Sequence, residues 1–178
     1  MNSGEGTVYR LNRRLLIVGA GIYAVVAAEI AADIGCFTQI DFLDDHKQIT
    51  PHGVAVIGTT DELELLAKQY DGVFVAIGNA DVRLALLDRL REHNVVSLVS
   101  PHAVVSPNAR LAEGCIVEPM AVIHAGCALD RGCIVSAGAV VNHASTCGAC
   151  VHVDCNATVK GYVSVPAKTK IDCGCVFG

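Results

Sequence analysis

The hydrophobic pattern of this chain changes period partway along. Up to about residue 100, short apolar runs alternate with amphipathic stretches. From Val105 onward an apolar residue instead recurs at every sixth position: Val105, Leu111, Val117, Ile123, Leu129, Val135, Val141, Cys147, Val153, Val159, Val165, Ile171 and Phe177. Two residues before each stands a small one, from Ala103, Ala109 and Cys115 through to Cys175. Side chains alternate across a strand, so positions i−2 and i point to one side and i−1 to the other. The two columns therefore fill a common interior. Gly114, Gly126, Gly132, Gly138 and Gly174 share a third column, at i−3, where a bend favours a residue without a Cβ. Three such sides close a coil of 18 residues, and the stretch supplies about four coils of a solenoid. A parallel β-helix is expected over residues 101–178.

The first half reads differently. Leu15–Val18 predicts a strand, Gly19-Ala20-Gly21 a turn, and Ile22–Ile34 a helix. A strand over Gln39–Leu43 follows, ending at Asp44-Asp45. Val54–Ile57 predicts a short strand, and Thr60 caps a helix over Asp61–Gln69. Val73–Ile77 predicts a buried strand closed by Gly78-Asn79, then a helix over Ala80–His93 carries Arg83 and Arg89. Val95–Val99 makes the last strand. Strands alternating with helices give a small parallel sheet covered on both faces, so an α/β, Rossmann-like unit is expected over residues 13–100. Residues 1–12 read as a leader.

Composition narrows the function classes. A net charge of −5 with no Lys/Arg-rich run argues against nucleic acid and against a membrane surface. Nine cysteines, an odd number at irregular spacing, do not make a disulfide framework. Cys115, Cys127, Cys133 and Cys175 fall in the small inward column, where a thiol serves as a small hydrophobe. Cys147-Gly-Ala-Cys150 has the spacing of half a zinc site, but one member points inward and the other sits in a bend, so no metal is expected. Arg10, Arg13 and Arg14 before the apolar run Leu15–Ala28 imitate a signal peptide. The glycines and Glu29 fit strand, turn and helix better, and a cytoplasmic protein is expected.

Candidate chemistry comes from two places. A glycine turn between a strand and a helix lets a ligand approach the helix N-terminus, where partial positive charge favours phosphate; such turns also serve merely to reverse the chain. In the coil, His143 falls two residues after inward Val141 and so sits on a corner, with His124 at the same corner about one coil earlier. His152 precedes inward Val153 and points outward from the face opposite that corner. Within one chain the two imidazoles should point apart, and they can meet only if coils pack side by side. The outward stripes Ile116/Ile134 and Val122/Val140 require cover from a partner or a domain. A closed trimer is the simplest arrangement that provides it.

Four motifs then stand together: Gly19-Ala20-Gly21; Phe42-Leu43-Asp44-Asp45; Ala76-Ile77-Gly78-Asn79 followed by Arg83; and Val140-Val141-Asn142-His143, with His152 nine residues on. On a Rossmann-like unit followed by hexads, they resemble the bacterial hexapeptide-repeat sugar acetyltransferases that modify sialic acids or amino-sugar nucleotides. The resemblance implies a left-handed β-helix and a homotrimer. It implies a sugar or nucleotide-sugar acceptor held by Gly19, Gly21, Asp44, Asp45, Gly78, Asn79 and Arg83. Acetyl-CoA would lie along the β-helix against His152 and Gly161, with His143 the general base beside Asn142. Acetyl transfer from a thioester to a hydroxyl or amine needs such a base, and a donor to the tetrahedral oxyanion. The sequence departs from the family in three places. Ala144 stands where an acid usually follows the base, Ile22-Tyr23 replaces a Gly-His pair, and family members continue the coil beyond the length seen here. Two other readings therefore stay open: a trimeric binding protein with a degenerate site, and a metal-dependent lyase of the gamma carbonic anhydrase kind.

Overall fold

This computed structural model describes residues 13–178. The leader expected over residues 1–12 lies outside them. The first half contains β1 (Arg13–Val18), α1 (Ile22–Ile34), β2 (Phe37–Leu43), β3 (Val56–Gly58), α2 (Leu63–Ala67), β4 (Gly72–Val75) and α3 (Ala80–Arg89). The sheet order is β3-β2-β1-β4, and every pairing is parallel. Leu15 and Ile17 of β1 join the cluster under α1, while Leu16 and Val18 join a second cluster with Leu63, Leu87 and Leu90. Both faces of the strand are buried, which is why it reads as an unbroken apolar run rather than an alternating one.

Apart from shifts of one or two residues in strand ends, three elements differ from the expectation. α2 is shorter and preceded by a 3₁₀ turn over Thr60–Glu62; the cap of that turn is Thr59 rather than Thr60, because Thr59 and Glu62 form a reciprocal capping box. α3 stops at Arg89, where Leu90 leaves helical geometry. The run Val95–Val99 divides. Val95 bridges Val73 beside β4, but Leu98–Val99 pairs with Ile116–Val117 and is already the first strand of the solenoid. Leu98 N–H donates to Cys115 O at 2.8 Å, so the hydrogen bonds of the next coil claim this segment.

The solenoid has three parallel sheets. A docking face carries Leu98–Val99, Ile116–Val117, Ile134–Val135, His152–Val153 and Lys170–Ile171. A valine face carries Val104–Val105, Val122–Ile123, Val140–Val141, Thr158–Val159 and Val176–Phe177. A groove face carries Arg110–Leu111, Ala128–Leu129, Thr146–Cys147 and Ser164–Val165. Register is set by the 18-residue coil, so Ile134 pairs with Ile116 on one side and His152 on the other. Most of both inward columns lies in one continuous core, but Cys175, expected inward, is exposed in the last described coil. The bend column is left-handed throughout its described glycines, at φ +69 to +77° for Gly114, Gly126, Gly132, Gly138 and Gly174. Met120, Ala144, Cys150, Asn156, Tyr162 and Lys168 adopt the same conformation, each against a preference of roughly 1 kcal/mol. The second half is thus the parallel β-helix that the hexads predict, consistent with the left-handed coil that the resemblance implies. No described helix is long and apolar enough to cross a membrane.

The α/β unit lies on the docking face. Ile116 and Ile134, the outward stripe there, are buried in the same cluster as Ala27 and Ile30 of α1, so this stripe is covered within the chain. Arg83, expected at the substrate, fastens the junction between the two units. It is 1% exposed. Its Nε donates to Gly132 O at 2.9 Å and its Nη2 to Cys150 O at 2.9 Å, both on the coil. Its Nη1 donates to Ile77 O and Gly78 O at 2.7 and 2.9 Å. The guanidinium therefore spans four carbonyls of both units with four of its five N–H donors. The valine stripe is different: Val104 and Val176 at its ends are 64% and 62% exposed.

Candidate active site

At the carboxyl end of the sheet, Gly19, Asp44, Asp45, Thr60, Ile77 and Arg89 line a crevice of about 380 Å³. Gly19 is needed there for its backbone: φ is +109°, and a Cβ would meet Ala76 O at 2.9 Å. Gly21 is the N-cap of α1, with no side-chain cap and no acid in the first turn. A Cβ at Gly21 would meet nothing within 4 Å. The helix thus presents uncapped N–H groups toward open space, the arrangement that accepts an anion.

Much of the acid and amide expected at the ligand is occupied by the loops themselves. Asp44 Oδ2 accepts from Ala20 N–H at 2.8 Å, and its Oδ1 accepts from His46 and Lys47 N–H, both at 2.9 Å. Partial burial works against its charge, but those three N–H groups outweigh it and hold the carboxyl below the ordinary range. Asp45 accepts from Thr60 N–H at 2.7 Å and from its hydroxyl at 2.9 Å. Asn79 caps α3, its Oδ1 accepting from Asp81 and Val82 N–H. Gly78 gives its carbonyl to Arg83, with open space where a Cβ would be. Of these residues Asp44 and Asp45 line the crevice, whereas Gly21, Gly78 and Asn79 lie outside its walls.

His143 is exposed at the turn between the valine and groove faces. Asn142 Oδ1 accepts from His143 N–H at 2.8 Å and lies 2.7 Å from His143 Nδ1. A backbone N–H only donates, so this contact fixes which end of the amide faces the ring. The same oxygen then accepts from Nδ1–H, which leaves the Nε2 lone pair free. Asn142 therefore orients the imidazole where Ala144 offers no acid. Tyr162 packs edge-on against the ring at 5.0 Å. Gly161 lies beneath it, since a Cβ there would meet His143 Nε2 at 2.8 Å. Gly161, expected along the acetyl-CoA path, thus packs against this imidazole. His124 is exposed one coil earlier at the same corner.

His152 lies elsewhere, on the docking face beside the α/β unit. Its Nε2 is 3.1 Å from Ser136 Oγ and 3.8 Å from Asp154 Oδ1. Burial lowers its pKa from the ordinary imidazole value, with Asp154 pulling the other way. Next to Ser136, Ala137 N–H donates to Glu118 Oε2 at 3.0 Å, and Glu118 Oε1 accepts from Tyr23 Oη at 3.3 Å. A polar path thus runs from the first turn of α1 to His152. Residue-by-residue reading missed Glu118 and Ser136. The 18-residue step would have found them, because Glu118, Ser136 and Asp154 each follow an inward valine one coil apart.

Burial raises the Glu118 pKa from its ordinary value of 4.5, with Asp154 adding in the same direction. A raised carboxyl favours the fold at low pH, and that contribution is lost as pH rises through the folded-state value. Glu118→Gln should keep both contacts, accepting from Ala137 and donating to the Tyr23 oxygen. Its melting temperature relative to wild type should therefore increase from pH 4.5 to pH 8, as read by thermal melts across that range. A pH-independent difference would contradict the buried-carboxylate account.

The groove face supplies a long shallow channel of about 660 Å³, with Arg110, Ala128, Thr146, Ser164 and Ala167 among its walls. His143 stands at the corner where that face begins.

Residues 14–90 match the PglD N-terminal domain family. No curated protein matches the chain. Among solved structures, the acetyltransferase domain of PglB from Neisseria gonorrhoeae in complex with acetyl coenzyme A aligns at 35% identity and TM-score 0.87, over 92% of this chain and 82% of that one. A mutant of perosamine N-acetyltransferase from Caulobacter crescentus, in complex with CoA and GDP-perosamine, aligns at 27% identity and TM-score 0.77, over 92% and 88%. WeeI from Acinetobacter baumannii, at 17% identity and TM-score 0.57, shares the fold. With the sheet, the left-handed coil and the similarity to the PglB domain extending over nearly the whole described chain, the protein belongs to the PglD-type family of hexapeptide-repeat sugar acetyltransferases.

Proposed function

We propose that the protein transfers an acetyl group from acetyl-CoA to the amine of a nucleotide-linked amino sugar, with His143 as general base. The observation that carries this reading is the Asn142–His143 pair, which leaves Nε2 free at an exposed corner. The acceptor's diphosphate sits at the uncapped N-terminus of α1, and the crevice beside Asp44 and Asp45 takes the nucleoside. The donor lies along the coil, for which the groove face supplies length and Arg110 a cation. As the sugar nitrogen attacks the thioester carbonyl, a C–N bond forms and Nε2 takes the nitrogen's proton. Collapse of the tetrahedral intermediate breaks the C–S bond, and the same proton can pass to the departing thiolate.

The neighbouring chain completes the site. His143 lies at the corner between the valine and groove faces, whereas His152 and the α1 N-terminus share the docking face. Side-by-side packing of coils in a homotrimer brings one chain's His143 to another's His152, and covers the exposed valine stripe. Tyr23 takes part in acceptor binding from the first turn of α1, through its contact with Glu118.

The test is release of CoA thiol from acetyl-CoA with a panel of UDP- and GDP-linked amino sugars, read beside calorimetric titration with acetyl-CoA. The proposal expects saturable donor binding, and turnover with at least one nucleotide-linked amine that is lost with the unlinked sugar. Donor binding without turnover on any amine or hydroxyl acceptor favours the degenerate binding protein.

A further inference from the structure

The 18-residue step also stacks a second set of side chains next to His152. At the turn leaving the docking face, Asp154 and Cys155 follow His152–Val153, and Cys173 occupies the place of Cys155 one coil later. The carboxylate and both sulfurs lie within 4.8 Å of one another. Both cysteines are free, Cys155 half-buried and Cys173 exposed, so the group has a packed floor and an open side. Gly174 N–H donates to Cys155 O at 2.9 Å and ties the two turns together. Asp154 is held in place as well: Oδ1 accepts from Cys155 N–H at 2.8 Å, and Oδ2 lies 3.1 Å from Lys170 Nζ.

We propose that Asp154, Cys155 and Cys173 form a binding site for a thiophilic divalent cation of the Zn²⁺ class, with water in the fourth position. Two sulfurs and one carboxylate oxygen are ligands that zinc takes in tetrahedral geometry, whereas Mg²⁺ and Ca²⁺ take oxygen sets. Ligand atoms around zinc stand roughly 3.5–4 Å apart, a contraction within reach of side-chain rotation from the present spacing. Two thiolates and a carboxylate exceed the cation by one negative charge, and Lys170 stands at the carboxylate while also pairing with Asp172 at 3.4 Å. Thiols on adjacent coils also come within disulfide range. A disulfide, however, would not use the carboxylate, and the carboxylate's place beside both sulfurs favours the cation. The site joins the last two described coils, so a bound ion should stabilise that end of the solenoid. None of this rests on the acetyltransferase reading.

The test is titration of the reduced full-length protein with Co²⁺, followed by thiolate-to-cobalt charge-transfer absorption and displacement by Zn²⁺. Saturation at about one equivalent per chain is expected. The bands should vanish in Cys155→Ser and in Cys173→Ser and persist in Cys36→Ser and Cys175→Ser. Asp154→Asn should weaken binding by about tenfold or more. Cys173 is exposed, so Cys173→Ser should keep the circular dichroism of the wild type, and Zn²⁺ should raise the melting temperature of the wild type and not of this variant. The proposal is overturned by absence of the bands, by bands that survive both substitutions, or by reduced protein that takes up no metal and oxidises to a Cys155–Cys173 disulfide.

Discussion

His143→Ala should lower kcat for acetyl transfer by ~10²–10⁴, equivalent to ~3–5 kcal/mol of transition-state stabilisation, with acetyl-CoA affinity unchanged. The loss falls on kcat because the imidazole is engaged only as the acceptor nitrogen gives up its proton. Within the chain its hydrogen-bonding partner is Asn142, through Nδ1. Asn142→Ala should cause a smaller loss and shift the pH profile of kcat, since it releases the ring and its tautomer without removing the base. Side chains at Gly161 should act on the same ring. Gly161→Ala drives a methyl into Nε2 and should reduce kcat while leaving the acceptor crevice intact. Single-turnover kinetics with each variant separates these outcomes. A His143→Ala enzyme with wild-type kcat would remove the base from the mechanism.

Arg83→Met should destabilise the fold by ~3–5 kcal/mol, seen as a lower urea midpoint. Methionine fills much of the volume but leaves the carbonyls of Ile77, Gly78, Gly132 and Cys150 without the donor they share. Water reaches that junction poorly, since Arg83 is 1% exposed. Arg83→Lys, with one compact ammonium, should recover part of the loss and not all of it, because four carbonyls in two units need a planar fork. Variant protein that remains folded should keep its KM for the acceptor, which distinguishes a structural clamp from a substrate contact. A destabilisation below ~1 kcal/mol, or a selective rise in acceptor KM, would reverse the assignment.

The legible part of this fold was the part governed by repetition. One hexad is weak evidence, but a register kept from Val105 to Phe177 constrains every inward position and predicts bends that lie in the left-handed region. Even there the pattern did not mark its own beginning. Leu98–Val99 looks like the end of an α/β sheet, and only pairing with Ile116–Val117 makes it part of the coil. Side-chain roles were less legible for a related reason. Arg83 lies on a helix beside the Gly78-Asn79 turn, and its sequence neighbours suggest a ligand, yet its partners Gly132 and Cys150 are 49 and 67 residues away. Asp44, Asp45 and Asn79 likewise spend acceptor capacity on nearby N–H groups, which residue type alone does not reveal. The separation of His143 from His152 followed directly from counting sides, because the period fixes which face each occupies.

The central claim is acetyl transfer by a base and a donor contact that come from different chains. It is tested most directly by mixing two variants, His143→Ala and His152→Ala, each inactive alone, then dissociating and reassembling them together. In a closed ring with shared sites, random assembly at equal amounts gives about one site in four with both histidines intact. Acetyl transfer to the nucleotide-linked amine should therefore return to about a quarter of the wild-type rate. Mixed oligomers that form, bind acetyl-CoA and remain as inactive as either parent would contradict the account.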